Sequence, residues 1–376
     1  VKNADFSKGM TPAYRKDSQQ IFKSLKLKLK ELSKKHKESK GKGLSFLSLP
    51  VTSPTELALI NEAKKVLPEA KWHNWEPLHD DNSTAAAKTF LTANNFDIQV
   101  CYDLSKAATV LSLDSDFMMN EKNTLKLMQD YSERRRVYRD KDSGKYEKEM
   151  GNRLYSVEAT FTVTNSSADH RLRLRASEVA DFAFALAKII VSKTNANSEI
   201  KKVVNSFKGK TAFGALNKTN SGTDFLHTVA EELLINKSKS AIIVGMNQPA
   251  EIHLLGYVLN SVLGNVGRTV NFTEKAAKSD NLLAESIQLL NNDMVAGNVE
   301  TLVILDGNPV YNAPADLEFG KAIKKVKEVV TLSLFPNETT QLSKTIIPKS
   351  HYLESWGDTR SFDGTISFVQ PLISPL

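Results

Sequence analysis

From residue 44 onward, short apolar runs alternate with longer stretches whose apolar residues recur at helical spacing. LSFLSL (44–49) indicates a buried strand. The next helix is predicted over 53–66, with Ser53 as its N-cap and Pro54 in its first turn. The other elements predicted in this half are strands over 71–76, 109–114 and 152–161 and helices over 83–93, 121–135 and 178–191.

The second half repeats this alternation and then becomes loop-rich beyond Pro348. Helices are predicted over 223–236, 249–263, 281–296 and 315–326, and strands over 240–245, 268–272, 300–307 and 329–334. Alternating strands and helices favour parallel sheets covered on both faces. The sequence therefore predicts an α/β fold of two doubly wound, mostly parallel-sheet, Rossmann-like domains.

The predicted organisation has four parts. A basic helical segment covers 1–43, a first α/β domain covers 44–195, and a second, with a loop-rich C-terminus, covers 223–376. The stretch 196–222 is rich in Asn, Ser, Lys, Gly and Thr, which is typical of a linker or surface excursion. Because the chain begins with valine, we expect it to be a fragment of a longer protein.

The amino-acid composition of the chain excludes several classes of protein. The chain has 376 residues, of which 41% are hydrophobic and 25% charged, as in ordinary globular domains. No run approaches the roughly 18 apolar residues of a membrane-spanning helix, so no transmembrane segment is predicted. Cys101 is the only cysteine, which excludes an intrachain disulfide and an iron–sulfur cluster, and the histidines lack metal-motif spacing.

Much of the net charge of +7 lies between Lys23 and Lys42. Ile21, Leu25, Leu29 and Leu32 fall near one face of a helix there, with lysines around the rest. We interpret this segment as an amphipathic helix that docks on its own domain; the alternatives are an anionic membrane surface and nucleic acid. Because no aromatic residue is interleaved with the lysines, we expect no nucleic-acid partner.

Three predicted strand ends could bind a ligand, since ligands of open parallel sheets lie beyond the carboxyl ends of the strands. Gly245 to Pro249, which includes Asn247, and Asp306-Gly307-Asn308-Pro309 suit a phosphate or an amide-bearing nucleotide. The two carboxylates of Asp114-Ser115-Asp116 instead repel a pyrophosphate. For all three, ordinary turn chemistry is the alternative interpretation.

Weaker constellations suggest no catalytic residue. Asp224 with His227, or Glu251 with His253, could belong to a triad, but no serine stands in a Gly-x-Ser-x-Gly elbow. Residues 221–224 are better interpreted as a helix cap. Arg134-Arg135-Arg136 could grip a phosphate, although a solvated helix end is the simpler interpretation.

Residues 302–358 resemble molybdopterin oxidoreductases. In that family a Gly-Asn-Pro strand end and a Thr-Glu-Thr-like segment line the groove for a pterin guanine dinucleotide. Gly307-Asn308-Pro309 and Asn337-Glu338-Thr339 match them here, and Ile347-Pro348 is followed by Glu354 and Gly357. The resemblance implies a vestigial dinucleotide groove that comprises Gly245, Asn247, Gly307, Asn308, Glu338 and Thr339.

Residues 102–117, 152–178 and 245–269 further resemble the B subunit of bacterial alternative complex III, a quinol-oxidising, membrane-associated assembly. In that subunit a molybdopterin-type domain without pterin precedes a ferredoxin-like domain with iron–sulfur clusters. The resemblance implies a scaffold whose cluster domain follows Leu376 in the parent protein. It also implies heme-bearing and integral-membrane partner subunits and a peripheral position on the periplasmic face of the inner membrane.

Two departures from the catalytic members lead us to expect no cofactor in this chain. Asp114-Ser115-Asp116 replaces a Gly-x-Asn type turn, and Ala176-Ser177-Glu178 replaces a Pro-Gly-Thr-Asp nucleotide loop. The alternative is a fragment of an active oxidoreductase that depends on molybdopterin guanine dinucleotide. A third interpretation is an unrelated nucleotide-binding protein. It is disfavoured because several motifs of the family occur in order along the chain.

Overall fold

The structure is a computed structural model of the chain, and it describes residues 12–139, 146–148, 151–206, 224–277 and 279–374. The strands are, in chain order, β1 (Leu44–Ser48), β2 (Lys71–Asn74), β3 (Ile98–Tyr102), β4 (Thr109–Leu113), β5 (Val137–Arg139), β6 (Tyr146–Lys148), β7 (Arg153–Glu158), β8 (His170–Arg173), β9 (Ser240–Val244), β10 (Val270–Glu274), β11 (Thr301–Leu305), β12 (Glu328–Ser333), β13 (Thr345–Pro348), β14 (Gly357–Arg360) and β15 (Ile366–Val369).

The helices connect these strands. They are, in chain order, α1 (Pro12–Glu38), α2 (Pro54–Val66), α3 (Asp81–Phe90), α4 (Thr124–Glu133), α5 (Val163–Ser166), α6 (Ala176–Ser192), α7 (Ser198–Ser206), α8 (Phe225–Ile235), α9 (Ala250–Val262), α10 (Leu283–Val295), α11 (Pro309–Asn312), α12 (Phe319–Ala322) and α13 (Glu338–Leu342). None of the helices in these described ranges is long and apolar enough to cross a bilayer.

The chain forms two compact units. Unit 1 comprises Val1–His79 and Ala276–Leu376, and unit 2 comprises Asp80–Lys275. This division differs from the sequential one that the sequence predicted, because β1 pairs in parallel with β11, about 250 residues later, in the register Leu44 with Thr301. The apolar pattern of a strand reveals that the strand is buried but not which strand lies beside it.

Unit 1 contains a five-stranded parallel sheet in the order β13-β12-β11-β1-β2. Leu47, Leu302 and Ile304 of this sheet share a buried cluster with Ile287 and Leu290 of α10. Strands buried in this way are near-continuous apolar runs, as in LSFLS and TLVIL. Ser53 caps α2 by accepting a hydrogen bond from the backbone N–H of Glu56, as predicted.

Helix α1 docks on unit 1, as the sequence predicted. Lys28 pairs with Glu328 at 3.2 Å and Lys35 with Glu300 at 2.9 Å. The Nε2 atom of the buried His36 lies 2.9 Å from Oγ1 of Thr301. These contacts join one side of the helix to the strands of the sheet.

Unit 2 contains a four-stranded parallel sheet in the order β8-β7-β4-β9, and β3 pairs separately with β10 in antiparallel fashion. The predicted buried helix 178–191 is α6, which contributes eight buried residues to the largest core cluster. Helix α7 lies inside the predicted linker 196–222 and buries Val204 in the same cluster. The remainder of that predicted linker, 207–222, lies outside the described residues.

Two parts of unit 1 differ from the prediction. The helix expected over 315–326 is broken, because Glu318 adopts a left-handed backbone conformation with φ of 47° between the short helical turns 315–317 and 319–322. Beyond Pro348 the predicted loop is interrupted by the antiparallel pair of β14 and β15.

Candidate functional site

In unit 1, the turn after β11 and the start of α13 bring four predicted site residues together: Gly307, Asn308, Glu338 and Thr339. Asp306 and Gly307 both adopt left-handed conformations, with φ of 77° and 93°, so the chain turns sharply at the strand end. Pro309 then opens α11.

The side chain of Asn308 forms three hydrogen bonds within the protein. Its Nδ2 donates to Oε2 of Glu338 at 2.6 Å. Its Oδ1 accepts the backbone N–H of Thr339 at 3.2 Å and the hydroxyl of Thr339 at 2.8 Å. The hydrogen bond from Asn308 also lowers the pKa of the Glu338 carboxyl, so that group stays ionised at neutral pH. Asn308 thus joins the turn after β11 to the start of α13.

The backbone N–H of Gly307, in the turn that was predicted to bind a phosphate, is also hydrogen-bonded within the protein. Oδ1 of Asp306 accepts the N–H of Gly307 at 2.8 Å, and the other carboxylate oxygen of Asp306 pairs with Lys349. The carboxylate of Asp306 therefore accepts the N–H of Gly307 in the way that the oxygen of a bound phosphate would.

A cleft of about 620 Å³ opens beside this turn, within unit 1. Its wall includes the carboxylates of Glu56, Asp306 and Asp358 but a single ammonium group, that of Lys349. Hydrogen bonds from Ser53 and Thr55 lower the pKa of Asp358, which keeps it ionised. Because the charged side chains of the cleft are mostly negative, a pyrophosphate there would meet net repulsion.

The rim of the cleft carries exposed aromatic side chains. Phe335, Tyr352 and Trp356 are 69%, 65% and 72% exposed. The exposure of Tyr352 and Trp356 excludes them from the core of unit 1. Exposed clusters of large aromatic residues are characteristic of protein interfaces.

Unit 2 holds the other two predicted site residues, Gly245 and Asn247, after β9. A Cβ atom on Gly245 would collide with the backbone carbonyl of Asp114, and the N–H of Gly245 donates to the carbonyl of Leu113 at 2.9 Å. The glycine at this strand end therefore allows close approach of the neighbouring strand β4. Asn247 is exposed on the turn, and Gln248 beside it donates to Asp114 at 2.8 Å.

Carboxylates of the protein also accept hydrogen bonds from backbone amides at this end of the sheet. Glu121 accepts the backbone N–H of Met246 at 3.0 Å. Asp116, which is 7% exposed, accepts the backbone N–H and the hydroxyl of Thr164 at 3.0 and 2.9 Å. Two backbone amides near this end of the sheet, those of Met246 and Thr164, are thus hydrogen-bonded to carboxylates of the protein.

These carboxylates repel one another. Burial raises the pKa of Glu121, and the charges of Asp116 and Asp114 add to that rise. Burial likewise raises the pKa of Glu158 at the end of β7, although hydrogen bonds from Thr162 and Ser156 oppose it. A further anion here would compound this repulsion, so the residues of unit 2 do not fit a pyrophosphate.

Sequence reasoning missed Glu121, Glu158 and Thr164. An acidic residue directly after a buried apolar run was the signal that identified Asp114, and the same signal stood at Glu158. No pattern pointed to Glu121, because its contact with Met246 joins residues 125 positions apart.

The weaker constellations have structural roles. Asp224 caps α8 and also contacts Nδ1 of His227 at 2.8 Å, and residues 221–223 of the predicted cap lie outside the described residues. Arg135 pairs with Asp169, and Arg134 donates to the carbonyl of Ser105 at 2.8 Å. In the described part of the chain, no three His, Cys, Asp or Glu side chains are grouped so as to hold a metal ion.

No family model and no curated protein matches the chain. Among solved structures, acetylene hydratase from Pelobacter acetylenicus is similar in fold, with a TM-score of 0.64 at 12% sequence identity. The match covers 95% of this chain and 55% of that protein, so the chain spans about half of its length. This likeness confirms the predicted α/β, mostly parallel-sheet, Rossmann-like architecture.

Proposed function

We propose that this chain is a scaffold domain without its own cofactor, built on the molybdopterin oxidoreductase fold, in a respiratory quinol:electron-acceptor oxidoreductase of the alternative complex III type. The observation that carries the proposal is the occupation of the strand-end donors by carboxylates of the protein. Glu121, Asp116 and Asp306 accept the hydrogen bonds of Met246, Thr164 and Gly307.

A dinucleotide would have to displace these internal hydrogen bonds. Its pyrophosphate would gain these amide donors only by taking them from carboxylates of the protein, and for the buried Asp116 such a loss costs about 1–3 kcal/mol. Each like-charge contact within a few ångströms adds on the order of 1 kcal/mol. These costs disfavour the binding of a dinucleotide. They do not affect the stability of the fold itself.

The exposed aromatic rim supports a role in assembly. Phe335, Tyr352 and Trp356 expose apolar surface around the acidic cleft, which a partner protein would cover. The resemblance in 102–117, 152–178 and 245–269 suggests which partners: heme-bearing and integral-membrane subunits at the periplasmic face. Iron–sulfur electron transfer then belongs to another domain of the parent protein.

The second candidate is a fragment of an active oxidoreductase that depends on molybdopterin guanine dinucleotide. Gly307, Asn308 and Glu338 favour it, because the family's Gly-Asn-Pro and Glu-Thr segments lie together in unit 1. In that case the groups of Asn308 would exchange their internal partners for the cofactor.

The assembly role is tested by isolating the tagged parent protein from native membranes. We expect heme-bearing and integral-membrane subunits to copurify, together with quinol oxidation. Recovery of the parent protein without these subunits, under conditions in which the membrane extract still oxidises quinol, would contradict the proposal. A Phe335→Ser/Trp356→Ser variant should copurify less of the partners, whereas Leu289→Ser, at another exposed apolar residue of unit 1, should not.

A further inference from the structure

Helix α1 has two different sides. Lys28, Lys35 and His36 hold one side on unit 1. Leu25 and Leu32 are half-buried on that same side. The opposite side forms no ion pair with the described part of the chain and carries a row of lysines.

This row, the lysine stripe, consists of Lys23, Lys26, Lys30, Lys34 and Lys37. Successive members are three or four residues apart, which places them on one side of a helix. At 1.5 Å per residue the stripe is about 21 Å long. All five side chains are exposed, and none forms an ion pair with another residue in the described ranges.

The segment that contains the stripe accounts for the net charge of the protein. Residues 23–42 contain nine lysines and two glutamates, a net of +7, which equals the net charge of the whole chain. The rest of the chain is therefore neutral overall. Positive charge is therefore concentrated on α1 and the turn that follows it, and of these nine lysines only Lys28 and Lys35 form ion pairs with described residues.

An apolar side chain lies within the stripe. Leu27 is 69% exposed and stands four residues after Lys23 and three before Lys30. Exposed leucine among lysines suits the boundary between lipid headgroups and acyl chains. Residues 23–42 contain no arginine and no aromatic residue, the types that nucleic-acid binding favours.

We propose that the lysine stripe binds the surface of an anionic lipid bilayer, with α1 parallel to that surface and Leu27 inserted between headgroups. The lysines supply attraction to lipid phosphates, and unit 1 holds the helix in place from its other side. This inference does not depend on the proposed function, because it concerns direct lipid contact by this chain rather than attachment through partner subunits.

Cosedimentation of the 376-residue chain with vesicles tests the inference. We expect binding to vesicles of equal parts phosphatidylcholine and phosphatidylglycerol, and none to phosphatidylcholine alone. Lys26→Gln/Lys30→Gln/Lys34→Gln should weaken binding on the order of 100-fold, since each lysine near an anionic surface contributes roughly fivefold. Leu27→Ser should weaken it several-fold, and all variants should retain the circular dichroism of the parent chain.

The matched control is Lys237→Gln/Lys239→Gln/Lys324→Gln, which removes the same charge from exposed lysines elsewhere. This control should bind the anionic vesicles as the parent chain does. An equal loss in both triple variants would overturn the inference, because net charge rather than the stripe would then govern binding. Binding of duplex DNA without binding of anionic vesicles would overturn it in favour of a nucleic-acid surface.

Discussion

Gly245 lies against the backbone carbonyl of Asp114 with no space for a Cβ atom between them. Gly245 and Asp114 directly follow the neighbouring parallel strands β9 and β4, and the register Leu113 with Val244 brings these strand ends together. Gly245 and the acidic turn at Asp114 thus pack directly against each other. The sequence suggested that Gly245 could leave room for a phosphate. Its missing side chain instead allows the neighbouring strand β4 to approach closely.

Replacing this glycine should destabilise unit 2. In Gly245→Ala the new methyl group meets backbone atoms, which cannot rotate away, so we expect a loss of about 3 kcal/mol or more in the free energy of unfolding. Denaturant unfolding followed by far-ultraviolet circular dichroism measures it. Gly320→Ala is the control, because its added methyl group would lie 3.5 Å from Val310, an ordinary contact, and this variant should unfold like the parent chain.

The buried ion pairs of Asp80 should stabilise unit 2 at neutral pH. Although burial raises the pKa of Asp80, the ammonium groups of Lys275 and Lys122 lower it to about 2 from 3.8. The stabilisation is present above pH 3.8 and is lost as the pH falls through about 2; it amounts to about 2 kcal/mol.

We therefore expect Asp80→Asn to lower the free energy of unfolding by about 2 kcal/mol at neutral pH, with a smaller difference near pH 3. Lys275→Met should cost more than Lys122→Met, since Lys275 is 16% exposed and Lys122 is 48% exposed. Equal effects of the two lysine variants would show that burial does not set the strength of these pairs.

His253 should make the stability of unit 2 depend on pH in a different range. Burial lowers the pKa of His253 to about 4 from 6.5. The unfolded chain takes up a proton near pH 6.5 but the folded chain does not, so stability present above pH 6.5 is lost as the pH falls toward 4. The expected loss is about 3 kcal/mol across this range.

Urea unfolding at several pH values tests this assignment. His253→Gln should flatten the dependence between pH 6.5 and 4. A slope that survives in His253→Gln would assign the proton uptake to another group.

Asn308 should matter for stability but not for turnover. Asn308→Ala leaves the N–H and hydroxyl of Thr339 without their acceptor, so we expect a loss of about 1–2 kcal/mol in unit 1. Trp72, Trp75 and Trp356, the three tryptophans of the chain, all lie in unit 1, so their fluorescence reports this unfolding. Asn247→Ala, at the exposed asparagine of unit 2, should leave the fluorescence transition unchanged.

The same variant separates the two candidate functions. If the chain is a scaffold, Asn308→Ala should leave quinol oxidation by the assembled complex within about twofold of the parent, since no reacting group touches Asn308. A loss of turnover in a fully assembled complex would instead favour a working cofactor site.

Local patterns predicted most individual elements. The capping sequence at Ser53 located the start of α2, and the apolar run over 178–191 located α6 to within two residues. These features depend on residues near one another in the chain. Helix 315–326 was predicted as one piece because nothing in its spacing signalled the left-handed conformation at Glu318.

Features that depend on distant partners were not predictable in the same way. The pairing of Leu44 with Thr301 sets the division into units, and the antiparallel pairing of β3 with β10 joins Tyr102 to Val270. Likewise, the sequence identified the acidic turn at Asp114 but not that Glu121 would accept the amide of Met246. Hydrogen-bond partners across a fold leave no local periodic signal.

Carboxylates of the protein accept hydrogen bonds from donors near the strand ends that a pterin dinucleotide would need. The most direct measurement is the metal and pterin content of the full-length parent protein, produced in cells supplied with molybdate and tungstate. We expect neither metal in stoichiometric amount and no pterin fluorescence after denaturation. One molybdenum or tungsten atom per chain, accompanied by pterin fluorescence, would contradict the account.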